Sequence, residues 1–174
     1  MQGKKIHKVS LTAIFTALVF VATYFIAIPM PAGFGYVNLG DAFVLLSVWI
    51  LGPLGFICAG VGSALADLLL GYAIYAPATL VIKVLMSILC FLIFKSLKLF
   101  KKLALRLAIS SFVSELVMVM GYFLFEGVLY GFSASALNIP FNLIQGAVSF
   151  VVANIIANIL FTNKTTQKFI FKFQ

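Results

Sequence analysis

Long uncharged stretches alternate with short basic clusters along this chain, and the uncharged stretches have the length of membrane helices. Val9–Ile28 carries no charge and matches one bilayer-spanning helix. It follows Lys4, Lys5 and Lys8, as a signal peptide would. Its apolar part is too long for a signal core and further apolar segments follow, so a retained first helix is expected. Asp41–Gly71 is interrupted by Gly52-Pro53-Leu54-Gly55, which reads as a tight turn because Pro breaks a helix and Gly permits the reversal. The pattern predicts an all-α integral membrane protein that is one domain over residues 1–174. Six transmembrane helices are expected at about 9–28, 41–51, 54–70, 78–94, 105–125 and 139–161. The second is short, about 17 Å at helical rise against a hydrocarbon core of roughly 30 Å, so it should be tilted or shielded by its neighbours and the preceding loop.

Composition strengthens this picture. The chain is 64% hydrophobic and 9% charged, with a mean hydropathy of +1.20, which does not fit a soluble domain. Eleven of its twelve basic residues fall in three groups. These are Lys4, Lys5 and Lys8; then Lys95, Lys98, Lys101, Lys102 and Arg106; then Lys164, Lys168 and Lys172. Lys and Arg mark cytoplasmic loops, so both termini and the central loop should face the cytoplasm. The net charge of +8 is juxtamembrane, where it suits anionic lipid headgroups rather than nucleic acid. Cys58 and Cys90 stand alone in apolar sequence and read as buried helix residues.

The external segments are then about Pro29–Gly40, Gly71–Pro77 and Glu126–Asn138, and none contains Lys or Arg. Pro29, Pro31, Gly33, Gly35 and Gly40 make the first an ordered irregular loop. All six tyrosines, Tyr24, Tyr36, Tyr72, Tyr75, Tyr122 and Tyr130, fall in the outer half. Trp49 falls at the inner end of the second helix. Aromatic belts normally mark both interfaces, so the bias reads either as an outward chamber stacking an aromatic ligand or as an uneven belt. Asp41, Asp67 and Glu126 share the outward bias, and Glu115 sits near the midplane with no base assigned to its depth. Lys83, the base outside the clusters, lies at the depth of Asp67. Intramembrane charges mark substrate pathways or paired sites, so Asp67 and Lys83 read as a structural ion pair or as ligand contacts. Asn142 and Gln145, three apart, share a helix face, with Asn138 just before them. Asn154 and Asn158 suit helix–helix hydrogen bonds.

Several chemistries are excluded. His7 is the only histidine and lies on the cytoplasmic tail, so Ser63 in Gly60-Val61-Gly62-Ser63-Ala64 has no dyad partner. No carboxylate–histidine cluster suits a catalytic metal, and no phosphate-binding GxxxxGK[ST] loop is present. A transport subunit is expected rather than an enzyme, with no cofactor and no motor of its own.

Residues 35–83 resemble the substrate-binding subunit, or S component, of energy-coupling factor (ECF) vitamin transporters, nearest the riboflavin, hydroxymethylpyrimidine and pyridoxine group. The most specific parts are Asn38-Leu39-Gly40-Asp41 and Ala66-Asp67-Leu68-Leu69-Leu70-Gly71-Tyr72. Size, helix number and cytoplasmic termini extend the resemblance over nearly the whole chain. Ala13 and Ala17, with Ser10 one turn earlier, give the small-residue face on which another helix can pack closely. The resemblance implies a prokaryotic cell-membrane subunit that captures a vitamin from outside, under the loop between the first two helices. It implies association with a transmembrane coupling protein and two ATPases, which use the ATP. Candidate ligand contacts are Tyr36, Asn38, Asp41, Asp67, Tyr72, Tyr75, Lys83, Glu115, Asn142 and Gln145; Ser10, Ala13 and Ala17 are the coupling contacts. Tyr-rich stacking with carboxylate and amide partners favours pyridoxine or hydroxymethylpyrimidine. The alternatives are riboflavin and a membrane assembly subunit without a small ligand.

Overall fold

The structure is a computed structural model that describes residues 2–30, 35–100 and 102–163. Pro31, Gly33, Lys101, Lys164, Lys168 and Lys172 lie outside the described residues. The helices are α1 (Gln2–Phe25), α2 (Gly40–Leu51), α3 (Leu54–Leu69), α4 (Ala76–Ser96), α5 (Leu103–Tyr130) and α6 (Phe132–Thr162). Among the described residues, four helices, α1, α4, α5 and α6, are long and apolar enough to cross a bilayer, whereas α2 and α3 are shorter.

The helices α1, α3, α4, α5 and α6 follow one another side by side, and α2 fills the interior against α1, α3, α4 and α6. This explains how so short an apolar helix is stable. Eleven of its twelve residues are buried, Phe43 being the exception, so protein rather than lipid surrounds it. Trp49 is completely buried and donates to Ser110 Oγ at 3.2 Å, which makes it a core residue. The α2–α3 reversal relies on Gly52, whose φ of +62° suits glycine. At Gly55 a Cβ would lie 2.7 Å from the Val48 backbone, so glycine lets α3 start directly against α2. Large apolar side chains such as Ile14, Leu85, Phe112 and Ile155 are exposed, as a lipid-facing belt requires.

Three boundaries differ from the sequence expectation. The first helix ends at Phe25, and Ile28–Pro29 (β1) pairs antiparallel with Tyr36–Val37 (β2), so the connection between α1 and α2 carries a small hairpin. The expected loop at Glu126–Asn138 is helical on both sides of Gly131, whose φ of +87° makes the turn. Its polar residues are buried partners: Ser135 Oγ donates to the Phe123 carbonyl at 2.7 Å and Asn138 Nδ2 to Glu126 Oε2 at 2.9 Å. Pro140 is accommodated inside α6. The α4 helix begins at Ala76, with Pro77 in its first turn, where no backbone donor is needed. Cys58 and Cys90 are free and buried.

Candidate ligand-binding site

Polar side chains meet at the end of the bundle that carries the β1–β2 hairpin, the α3–α4 turn and the α5–α6 turn. At the centre Lys83, from α4, forms an ion pair with Asp41 at the start of α2. Both are fully buried. The second Asp41 oxygen accepts from Gln145 Nε2 of α6 at 2.7 Å, and Gln145 Oε1 accepts from the Asn38 backbone N–H at 2.9 Å. Asn38 Oδ1 then accepts from Gly40 N–H at 2.8 Å, turning the chain into α2. One polar chain thus ties α4, α2, α6 and the α1–α2 connection together. Asp67 and Lys83, read from the sequence either as an ion pair or as ligand contacts, do not form a salt bridge with each other. Asp67 Oδ1 instead accepts from the Tyr36 hydroxyl at 2.5 Å. Burial, and then the Asp67 carboxylate, push the Tyr36 phenol far above its ordinary pKa, so it remains a donor to that carboxylate.

A cavity lies above the Lys83–Asp41 pair. Of the expected residues, Tyr36, Asn38, Asp67, Tyr75, Lys83, Asn142 and Gln145 line it. Asp41 sits beneath, committed to Lys83 and Gln145. Tyr72 packs on Tyr36 and Tyr75, with ring centroids 5.0 and 6.0 Å away, and so supports the wall from behind. Glu115 does not line the cavity. It is buried where α5 meets α6, with its oxygen 3.3 Å from where a Cβ on Gly146 would be, and neither of its oxygens has a partner among the described residues.

The cavity also takes in residues that the sequence reading left out of the site: Thr23, Ser63, Thr79, Tyr122 and Glu126. Thr79 Oγ1 and the Tyr122 hydroxyl are 3.0 Å apart, and Lys83 Nζ lies 5.4 Å from the Tyr122 ring centroid. Helical spacing could have found three of them. Ser63 precedes Asp67 by four residues, Thr79 precedes Lys83 by four, and Tyr122 precedes Glu126 by four, so each shares a face with a membrane charge.

Four polar atoms on this wall, Ser63 Oγ, Asp67 Oδ2, Tyr75 Oη and Asn142 Nδ2, are buried without a hydrogen-bond partner among the described residues. Buried polar groups are nearly always paired, so four exceptions around one cavity need an explanation. Together they offer one carboxylate acceptor, one amide donor and two hydroxyls. The cavity volume is only about 20 Å³, on the order of one water. A ring can therefore enter only if the walls part. The hairpin segment contributes Met30, Gly35, Tyr36 and Asn38 to the lining and is tethered by the Tyr36–Asp67 and Asn38–Gln145 bonds.

The family model for the S component of the ECF-type riboflavin transporter matches residues 3–162. The chain belongs to this S component family. It is 30% identical over 162 residues to the thiamine precursor transporter HmpT of Lactococcus lactis subsp. cremoris (strain MG1363), covering 92% of this chain and 91% of HmpT. An uncharacterized protein in the gap 3′ region of Pyrococcus woesei is 33% identical over 141 residues, 80% of this chain and 92% of that one. The solved structure of the S component of a bacterial ECF transporter matches with a TM-score of 0.68 and 26% identity, over 92% of this chain and 96% of that one. This S component is a membrane transport subunit, and its family works with an ECF module. Its Ser10, Ala13 and Ala17 lie exposed on α1. Ala13 and Ala17 border an apolar groove shared with Ile57 and Leu65 of α3.

Proposed function

We propose that this S component binds hydroxymethylpyrimidine, a thiamine precursor, in the cavity beneath the β1–β2 hairpin. It would deliver the ligand through a coupling protein and two ATPases in a prokaryotic cell membrane. The observation that carries the reading is the set of four unpartnered polar atoms on the cavity wall. An aminopyrimidine presents an exocyclic amine and a ring nitrogen side by side, and a carboxylate such as Asp67 can accept from both once that nitrogen is protonated. Asn142 and Ser63 suit the hydroxymethyl group, and Tyr75 can pack against the ring. The near full-length likeness to HmpT supports the pyrimidine over pyridoxine. The small cavity supports a single ring over the tricyclic ring system and ribityl chain of riboflavin, which would displace far more of the wall. Calorimetry on the purified chain against all three vitamins tests this. Tight binding of hydroxymethylpyrimidine is expected, and binding of riboflavin alone would overturn the choice.

In this reading the chain crosses the membrane six times, with the cavity outside and the basic clusters inside. A reporter inserted at Leu97–Leu99 is expected to be cytoplasmic and one at Gly131 external. The opposite result would place the cavity on the wrong side for uptake.

The coupling protein is assigned to the exposed face of Ser10, Ala13 and Ala17. Ala13→Trp with Ala17→Trp adds bulk outside the bundle, so folding and ligand binding should persist while transport is lost because the partner helices are held apart. Equal loss of binding and transport would mean that this face serves folding instead.

A further inference from the structure

We propose that the basic end of the bundle holds a seat for one anionic phospholipid of the inner leaflet. Lys8 of α1, Lys95 at the end of α4, Lys98 in the turn just beyond it, and Arg106 of α5 surround a cavity of about 580 Å³ at the α2–α3 turn. Its floor is apolar, formed by Val48, Leu51, Leu54 and Phe91. Four bases meet here without an acid, because Asp41 lies at the opposite end of α2 and Asp67, Glu115 and Glu126 lie elsewhere in α3 and α5. Positive charge on this end is therefore not neutralised by any side-chain carboxylate among the described residues.

Arg106 shows that the site is built rather than a loose group of exposed lysines. Its guanidinium lies 4.3 Å from the Phe94 ring centroid and donates from Nη2 to the Phe94 carbonyl at 3.1 Å. Its Nε is buried without a partner among the described residues, in a fork whose planar geometry matches a phosphate. Lys95 Nζ stands 5.6 Å from the ring centroid of Phe91, itself a residue of the floor. A phosphate group would satisfy the bases, but only a molecule that also carries an alkyl chain makes use of the apolar floor. That combination is a phospholipid with net negative charge, and basic pockets between membrane helices suit such headgroups. The inner-leaflet position rests on the orientation proposed above; lipid retention in detergent does not depend on it or on the vitamin.

The test is native mass spectrometry of the detergent-purified full chain with added phosphatidylglycerol or phosphatidylcholine. Retention of one phosphatidylglycerol is expected, falling about fivefold for each base removed, in Lys95→Gln with Arg106→Gln and in Lys8→Gln with Lys98→Gln. The second pair changes only exposed side chains, so it remains informative if Arg106→Gln disturbs folding. Lys5→Gln with Lys102→Gln removes equal charge outside the cavity and should retain the lipid. Equal retention by all variants, or of phosphatidylcholine as well, would overturn the proposal. Displacement by inorganic phosphate would reassign the site to a free anion. Unchanged lipid retention with lost co-purification of the coupling protein would make the surface a protein contact.

Discussion

Replacing Lys83 by Met is expected to cost about 3–5 kcal/mol of stability. Lys83 is fully buried and its ammonium pairs with Asp41. Met fills similar volume but leaves the Asp41 carboxylate in the protein interior with Gln145 as its remaining side-chain donor. The cost is that of an uncompensated buried charge, not merely of the lost attraction. Asp41→Asn should be damaging for the converse reason, since it leaves the ammonium without its carboxylate. The double variant Asp41→Asn with Lys83→Met removes both charges and should recover much of the loss. Thermal midpoints in detergent for the two single variants and the double variant measure the coupling directly. Additive losses would show that the pair is not what each residue contributes.

That prediction also marks the limit of what the sequence could tell. Charge depth along the helices was readable, and it placed Asp67 and Lys83 at one height. Depth gives no angular position. Because α2 is buried in the middle of the bundle, Asp41 at its first turn reaches Lys83, while Asp67 is taken by Tyr36 from the hairpin. The same gap explains the α5–α6 boundary. Glu126, Ser135 and Asn138 look like loop residues, but each is buried and hydrogen-bonded between helices. By contrast, the Gly52-Pro53 reversal, the short second helix and the outward small-residue face of α1 were legible. They depend on local turn chemistry and helical spacing alone. The cavity was legible through its tyrosines, amides and charges. Its hydroxyls were missed because Ser and Thr are scattered through the chain, and only their four-residue spacing from a charge distinguishes Ser63 and Thr79.

Asp67→Asn is expected to weaken hydroxymethylpyrimidine binding by about 1.5–3 kcal/mol, roughly ten- to a hundredfold in affinity. Asn preserves the shape of the side chain and can still accept from the Tyr36 hydroxyl, so the hairpin keeps its tether. The change falls on Oδ2, the oxygen without a partner, where a carboxylate would accept from the ligand and an amide nitrogen would face it with a donor. Lys83 remains paired with Asp41 in this variant, so the core pair is undisturbed and the thermal midpoint without ligand should move little. Glu115→Gln provides the contrast. Glu115 is equally a buried carboxyl, but it lies in the α5–α6 seam rather than on the cavity wall, so affinity should be unchanged. Calorimetry and thermal midpoints on both variants separate the two roles. Equal affinity in Asp67→Asn and the parent would remove that carboxylate from the ligand's contacts, and a loss confined to Glu115→Gln would move the binding site toward the middle of the bundle.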